Sequence, residues 1–286
     1  MTSLELIGVV GGGAMGSGIA EVCARAHLEV VVCESNASRA ALAEDRTAAS
    51  LARAVHKGKL TLEEADRARR RLRYVHDVEA LAGCDLVIEA IVEDPAAKMD
   101  LFAALDTTVK PGAILASNTS SVPIINLAMA TQRPEAVIGV HFFNPVPVMP
   151  LVEVVTSLKT STSTIDRATT WVSTVLGRHV VNSPDRAGFV VNALLVPYLL
   201  SAIRMLESGF ASAEDIDAGM RLGCAHPMGP LELADLIGLD TTAAIADSMY
   251  HEFKEPLYSP PALLMRMVKA QRLGRKSGRG FFEYRK

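Results

Sequence analysis

The chain has 286 residues, of which 49% are hydrophobic and 21% are charged, and its formal net charge at pH 7 is −3. At roughly 150 residues per domain, this length predicts about two domains, and the composition excludes a disordered chain. The net charge disfavours a basic face for duplex nucleic acid, so we predict no nucleic-acid partner.

The cysteines and the apolar stretches indicate the cellular compartment of the protein. Four scattered cysteines form neither a C-x-x-C pair nor a metal-ligand spacing, which predicts a reducing, cytoplasmic location and no metal site. The opening residues MTSLELIGVVGGG lack a cationic n-region, so no secretory signal is expected. Asn192, Pro197 and Arg204 interrupt the longest apolar stretch, 189–206, which therefore predicts a core helix rather than a membrane span.

The first part of the chain alternates between strand and helix patterns. Residues 4–10 form an apolar run that breaks into glycines, 14–27 have helical spacing, and 30–33 form a second apolar run. Strand, helix and strand within this span predict a βαβ unit with parallel pairing. Further strands are predicted at 85–91, 113–116, 137–143, 151–155 and 179–181, and helices at 36–59, from Thr61, at 95–109 and at 163–176.

These elements predict an α/β fold, with a doubly wound Rossmann-type parallel sheet over residues 1–185. The pattern changes in the polar stretch 183–188, after which the periodic segments have helical spacing. We therefore predict an all-helical C-terminal domain over 186–286, with helices at 189–208, 212–221, 229–237, 239–253 and 261–271. Its apolar helix surface exceeds what one thin layer can bury, which predicts a homodimer.

A glycine-rich turn joins the first strand to the first helix. Gly11, Gly13 and Gly16 form G-x-G-x-x-G in this position. The first glycine permits the tight turn, the second lets backbone approach a pyrophosphate, and the third lets the helix pack close to the strand. The helix that begins at Ala14 and Met15 offers N–H groups and partial positive charge to phosphates. The loop therefore predicts a dinucleotide site, with a purely structural turn as the alternative.

Glu34 ends the second strand, about where a carboxylate binds the ribose hydroxyls. A carboxylate accepts hydrogen bonds from a 2′-hydroxyl but repels a 2′-phosphate, so NAD is favoured over NADP. Arg39 lies close by in sequence and could reach a phosphate, which keeps NADP as the alternative.

Polar residues follow several predicted strands, where doubly wound sheets bind their ligands. They are the segment 117–121, then His141 with Asn144 three residues on, and Glu153 on the next strand. Hydride transfer from an alcohol needs a base with a pKa near neutral, which favours histidine, and a carboxylate could orient the ring. A core histidine and a solvent-facing strand glutamate are the alternative interpretations.

The sequence as a whole resembles the 3-hydroxyacyl-CoA dehydrogenases, and most closely their stand-alone 3-hydroxybutyryl-CoA dehydrogenases. The matching segments are GVVGGGAMGSGIA, DLVIEAIVED, ASNTSSVPI, GVHFFNPVPVMPLVEVV, GFVVNALLVPYL, HPMGPLELADLIGLD and GRKSGRGFFEY. They cover nearly the whole chain in order. The family usually has Asp where this chain has Glu34, which keeps the carboxylate but lengthens it.

The resemblance implies roles for individual residues. It implies that His141 is the catalytic base and Glu153 its partner. It also implies cofactor contacts at Gly11, Gly13, Ala14, Met15, Gly16, Glu34, Glu93, Lys98, Ser120 and Asn144, and substrate contacts at Ser50, Lys57, Ser120, Asn144 and Asn192, with Ser120 and Asn192 assisting catalysis. Without the resemblance, Lys57 and Lys98 would be expected to be solvated helix residues. The buried amide of Asn192 could equally serve a helix–helix hydrogen bond.

The resemblance implies NAD-dependent, reversible oxidation of an (S)-3-hydroxyacyl-CoA to a 3-ketoacyl-CoA. An acyl-CoA is then the small-molecule partner, with a role in fatty-acid or butyrate metabolism. Two alternatives remain at this point. One is a related NAD-dependent dehydrogenase of a free hydroxy acid, such as a sugar acid, and the other is a nonenzymatic NAD-binding protein that kept the fold.

Overall fold

The computed structural model describes residues 4–284, and the chain divides into two compact units between Arg186 and Ala187. Among the described residues, none of the helices is both long and apolar enough to cross a membrane. No group of His, Cys, Asp and Glu within this range is arranged to hold a metal ion.

The first unit is built on an eight-stranded sheet. Its central strands are short, apolar and buried on both faces, as parallel strands covered by helices are, whereas the two edge strands are partly exposed. The strands are β1 (Leu6–Val10), β2 (Glu29–Cys33), β3 (Leu72–Val75), β4 (Leu86–Glu89), β5 (Ile114–Ser117), β6 (Val137–Phe142), β7 (Leu151–Thr156) and β8 (His179–Pro184). Their order across the sheet is β3-β2-β1-β4-β5-β6-β7-β8.

Over the described residues six helices cover the sheet, and four of them begin after a residue whose side chain accepts from the first turn. Thr61 and Glu64 form the predicted capping box at the start of the third helix, which confirms that boundary. Asp94 caps the fourth helix by accepting from the Ala97 N–H. The helices are α1 (Ala14–Arg25), α2 (Ala37–His56), α3 (Leu62–Arg70), α4 (Pro95–Thr108), α5 (Ile124–Ala128) and α6 (Thr162–Thr170).

Two features of the strand order position the site. The chain leaves β1 towards β2 and β3, then returns to place β4 on the other side of β1. Ligands of doubly wound sheets bind at such a switch point, outside the carboxyl ends of the strands. In addition, β7 runs antiparallel to β6, whereas the strands from β3 to β6 are mutually parallel. The Pro-rich turn 145–150 makes this reversal.

The second unit is helical, as predicted. Its core contains Leu200, Leu231, Ala246 and Leu264, which come from four different helices. The helices are α7 (Val191–Glu207), α8 (Ala213–Ala218), α9 (Pro230–Ile237), α10 (Leu239–Phe253) and α11 (Ala262–Lys269).

The structure departs from the predicted elements in a few places. The pattern analysis missed β3, an edge strand of four residues, and α5, a helix of five residues. The helix predicted over 163–176 ends in a π-helical turn at Trp171–Val175, and the one over 212–221 ends in another at Gly219–Gly223. A single π-helical turn is too short to set a periodicity of its own, so the sequence pattern does not separate it from the α-helix before it.

Candidate active site

The glycine loop has the geometry that its sequence predicts. Gly11 has φ +94°, and a Cβ there would lie 2.6 Å from the Ala90 carbonyl oxygen. A Cβ on Gly16 would lie 1.7 Å from the Gly11 carbonyl oxygen, so the helix could not approach the strand with any larger residue. A Cβ on Gly13 would meet nothing within 4 Å, which leaves open space beside the N-terminus of α1.

A cavity of about 1210 Å³ opens in front of this loop, at the carboxyl ends of β1, β2 and β4. The predicted loop residues Gly11, Gly13, Ala14 and Met15 line it, and Glu34 lines it as well. The helix N-terminus, the space beside Gly13 and the carboxylate together fit the phosphates and ribose of a nicotinamide dinucleotide.

The Glu34 carboxylate is held by backbone groups. Its Oε1 accepts from the Gly12 N–H at 2.7 Å and its Oε2 from the Ser35 N–H at 3.2 Å. A carboxylate can accept about four hydrogen bonds, so capacity remains for ribose hydroxyls. Arg39 and Arg46 line the same cavity, and Arg46 donates to the Gly12 carbonyl at 3.0 Å.

His141 and Glu153 lie side by side on the two antiparallel strands. The register of β6 and β7 pairs them directly, and His141 Nδ1 is 2.8 Å from Glu153 Oε2. Glu153 is fully buried and His141 is 7% exposed. With Nδ1–H donating to the carboxylate, the ring is fixed in the tautomer whose Nε2 carries the lone pair. This arrangement suits a general base and stabilises the imidazolium that forms when Nε2 takes a proton.

Ser120 lies in the loop after β5, and Glu93 holds that loop. Glu93 Oε1 accepts from the N–H groups of Ser120 and Ser121 at 3.0 and 3.1 Å, and from the Ser121 hydroxyl at 2.8 Å. It also accepts from the Thr119 hydroxyl. One carboxylate oxygen therefore fixes the backbone that carries the predicted substrate-contacting hydroxyl.

Lys98 is buried behind this loop, between two carboxylates. It is 1% exposed, and its Nζ lies 2.5 Å from Glu89 Oε1 and 3.0 Å from Glu93 Oε2. Burial raises the pKa of Glu93, but the Lys98 charge and the hydroxyls of Thr119 and Ser121 outweigh it and hold the pKa below its ordinary value. Lys98 thus keeps Glu93 ionised, while a direct cofactor contact by Lys98 stays a prediction.

Glu89 and Asn118 extend this network. Sequence reasoning missed Glu89, whereas Asn118 lies in the polar segment 117–121 that it predicted. The Glu89 carboxylate accepts from the Ser117 hydroxyl at 2.6 Å and the Ile91 N–H at 2.8 Å. Asn118 Oδ1 accepts from the Phe142 N–H at 2.8 Å, next to His141. A glutamate at the end of the apolar run 86–89 was the available signal, because a buried charge there requires partners.

Four other predicted site residues range from exposed to buried. Asn144 is exposed in the turn that follows β6. On α2, Ser50 is half-buried, and Lys57 is exposed at the C-terminal cap. Asn192 is 8% exposed near the start of α7 in the second unit. Their predicted substrate and cofactor contacts stay predictions.

Comparison with known protein families gives matches over both units. A model of the 3-hydroxyacyl-CoA dehydrogenase NAD binding domain matches residues 6–186, and a model of the C-terminal domain of the same family matches residues 188–284.

Individual relatives agree over nearly the whole chain. The chain is 56% identical over 283 residues to a 3-hydroxybutyryl-CoA dehydrogenase of Mycobacterium tuberculosis, covering 99% of each. The crystal structure of M. tuberculosis FadB2 superposes with a TM-score of 0.98 at 56% identity, covering 99% of this chain and 100% of the other. The crystal structure of the (S)-3-hydroxybutyryl-CoA dehydrogenase PaaH1 from Ralstonia eutropha gives a TM-score of 0.93 at 43% identity, with the same coverage.

Proposed function

The chain belongs to the 3-hydroxyacyl-CoA dehydrogenase family, and from that premise we propose that it interconverts (S)-3-hydroxybutyryl-CoA and acetoacetyl-CoA with NAD as cofactor. The observation that carries the chemistry is the buried pair of His141 and Glu153 in the same unit as the dinucleotide cavity. The short substrate follows the names of the relatives.

In the proposed reaction His141 Nε2 takes the proton of the substrate's 3-hydroxyl while the C3–H bond breaks. When bound, the nicotinamide ring supplies the acceptor for the hydride that leaves C3. Glu153 accepts the Nδ1–H and stabilises the imidazolium as it forms. In the reverse direction the imidazolium returns the proton to the oxygen as the ketone is reduced.

Ser120 positions the reacting oxygen in this proposal. A hydroxyl held in place before the reaction stabilises developing charge without having to reorganise. The hydrogen bonds from the Ser120 and Ser121 N–H groups to Glu93 supply that rigidity.

Glu34 supports NAD as the cofactor. Its carboxylate lines the cavity at the end of β2, where a 2′-phosphate would meet a negative charge. Arg39 and Arg46 are the groups through which NADPH could still bind.

The decisive assay measures initial rates of cofactor oxidation with acetoacetyl-CoA, with longer 3-ketoacyl-CoA substrates from C6 to C16 and with free 3-keto acids, each with NADH and with NADPH. We expect the highest kcat/KM for acetoacetyl-CoA with NADH. Faster turnover of a free acid would replace this proposal with a hydroxy-acid dehydrogenase. The absence of turnover with every substrate would indicate a dinucleotide-binding protein without this activity.

We also propose that the protein is a homodimer formed through its second unit. That unit exposes Leu194, Phe210 and Leu222 at 75%, 81% and 87%. Exposed apolar side chains mark an interaction surface when they form one contiguous patch, and the dimer proposal requires such a patch on the second unit. Light scattering at micromolar protein concentration is expected to give twice the chain mass, and a monomer would contradict the proposal.

A further inference from the structure

The strand that carries His141 extends past one of its two neighbours. The ladder between β5 and β6 ends where Ser117 pairs with Gly139, whereas the ladder between β6 and β7 continues through Phe142. His141 therefore lies beyond the point at which β5 leaves the sheet. Its strand end is held by β7 on one side, while a buried N–H that faces the other side needs an acceptor outside the ladder.

Asn118, the first residue after β5, supplies that acceptor. Its Oδ1 accepts from the Phe142 N–H at 2.8 Å. Because an N–H group can only donate, the atom that faces it must be the amide oxygen, which fixes the orientation of the Asn118 amide. The side chain thus prolongs, by one hydrogen bond, a ladder that the backbone of β5 has already ended.

Asn118 is itself held in place. Its N–H donates to the Glu89 carbonyl at 2.9 Å, which ties it to β4. Both of its neighbours in sequence are buried and engaged. Ser117 Oγ donates to the Glu89 carboxylate at 2.6 Å, and the Thr119 hydroxyl donates to the carboxylate of Glu93. An acceptor on such a fixed backbone loses little conformational entropy when it forms a hydrogen bond, so it can hold its partner firmly.

His141 is consequently fixed at two points. Glu153 contacts the ring through Nδ1. Asn118 contacts the peptide unit that follows the histidine, because the Phe142 N–H shares that unit with the His141 carbonyl. Proton transfer is sensitive to such placement, since a displacement of about 1 Å can cost about 10²-fold in rate.

We propose that Asn118 is a positioning residue for His141. It holds the end of β6 and thereby keeps the imidazole in line with the substrate oxygen. This inference rests on the proposed function, because it assigns a role in the proton transfer of that reaction. The role belongs to the amide oxygen, so an aspartate, which keeps an acceptor at this position, should replace Asn118, whereas an alanine should not.

The first experiment measures the reduction of acetoacetyl-CoA by NADH, with each variant at its own pH optimum. Asn118→Ala should lower kcat by about tenfold, which is the effect of losing one hydrogen bond in the transition state. The KM of both substrates should stay within about twofold of wild type, because a positioning group does not contribute to uniform binding. Asn118→Asp should recover kcat to within about threefold of wild type.

The matched control is Asn126→Ala, which removes the same amide from an exposed position on α5. Its kcat should stay within about twofold of wild type, as is usual for surface substitutions. A raised KM in place of a lowered kcat in Asn118→Ala would indicate a binding role and overturn the proposal. So would a kcat of Asn118→Asp as low as that of Asn118→Ala, or an equal loss in Asn126→Ala.

Double-mutant cycles show through which residue Asn118 acts. In His141→Ala, the addition of Asn118→Ala should lower the remaining kcat by less than about twofold, because the group to be positioned is gone. In Ser120→Ala, the same addition should still cost about tenfold. An undiminished loss in the His141→Ala background would overturn the proposal. So would the disappearance of the loss in the Ser120→Ala background, which would show that Asn118 acts through the loop instead.

The second experiment does not depend on activity. A histidine followed by a phenylalanine occurs once in the sequence, at 141–142. Isotope labels in the histidine carbonyl carbons and the phenylalanine amide nitrogens therefore give one carbonyl-to-amide correlation in an NMR spectrum, that of Phe142. Hydrogen exchange of this amide should be about tenfold faster in Asn118→Ala and near wild type in Asn118→Asp and Asn126→Ala.

Equal exchange rates in the wild-type protein and in Asn118→Ala would overturn the proposal, whatever the kinetics show. If the wild-type protein does not turn over acetoacetyl-CoA at all, the proposed function fails, while the exchange rates still decide whether Asn118 holds the end of β6. If it does turn over acetoacetyl-CoA but Asn118→Ala has normal kcat, the proposed function stands and the positioning role of Asn118 fails.

Discussion

The buried carboxylates of the two units differ in the partners that accompany them. In the first unit Glu153 contacts an imidazole, and Glu89 and Glu93 share the ammonium of Lys98. In the second unit Asp217 accepts from two N–H groups at the start of α9, and Asp235 from two N–H groups and a tyrosine hydroxyl near the C-terminus.

The difference shows in the direction of the pKa shifts. Lys98 and nearby hydroxyls hold the pKa of Glu93 below its ordinary value despite its burial. Burial raises the pKa of Asp217 and of Asp235, and the backbone N–H groups only partly oppose it. The first unit thus keeps its site carboxylate Glu93 charged, while the second unit uses carboxylates to hold backbone N–H groups at some electrostatic cost.

The largest expected effect comes from removing the imidazole of the first unit. His141→Ala should lower kcat by about 10²–10⁴-fold, since general acid–base catalysis contributes that much. Dinucleotide affinity should stay near wild type, because His141 does not line the dinucleotide cavity. Glu153→Gln keeps the base and should lower kcat less. Steady-state kinetics with a fluorescence titration of NADH measures both, and near-normal turnover in His141→Ala would remove the base from the mechanism.

The next largest expected effect tests whether the Lys98 charge stabilises the fold by compensating the buried carboxylates of Glu89 and Glu93. Lys98→Met leaves Glu89 and Glu93 without their cation and should lower the free energy of unfolding by about 3–5 kcal/mol. Lys110→Met is the control, because Lys110 is 44% exposed in its pair with Asp85. That variant should lose no more than about 1 kcal/mol. Urea unfolding measures both losses, and similar values would show that Lys98 does not compensate a buried charge.

The smallest expected effect is the pH dependence of the free energy of unfolding, which we expect to differ between the two units. The pKa of Glu93 is lower in the folded protein than its ordinary value of 4.5. The ionised carboxylate therefore stabilises the fold at pH values above 4.5, and this stabilisation is lost as the pH falls through the folded pKa. A raised pKa makes the Asp235 carboxylate progressively unfavourable as the pH rises above its ordinary value of 3.8.

The stability loss caused by Glu93→Gln should therefore shrink as the pH falls from about 7 to about 4, while the loss caused by Asp235→Asn should grow. Urea unfolding of both variants and wild type across this range gives the two slopes. If the stability losses of the two variants changed with pH in the same direction, the two carboxylates would not differ in the sign of their pKa shift.

Much of the fold could be predicted from the sequence because its patterns are local. The G-x-G-x-x-G turn, the Thr61 capping box and the helical periodicity after residue 189 each depend on residues close together in the chain. The strand β3 was missed because an edge strand of four residues shows no distinctive alternation.

The candidate site was only partly predictable for the same reason. The pairing of His141 with Glu153 follows from one short turn between adjacent strands, which the sequence indicates. The contacts of Lys98 with Glu89 and of Asn118 with the Phe142 N–H depend on how separate strand ends meet in space. The order of residues along the chain does not show which distant residues come into contact. The available signal was a charged residue in an apolar run, because a buried charge requires partners.

The measurement that tests the central claim most directly is a crystal structure with NAD⁺ and acetoacetyl-CoA, a pair that cannot react because both are oxidised. We predict the 3-keto oxygen of the ligand within hydrogen-bond distance of His141 Nε2, with Glu153 still bound to Nδ1. An imidazole directed away from that oxygen, or separated from Glu153, would contradict the assignment of His141 as the proton-transfer group.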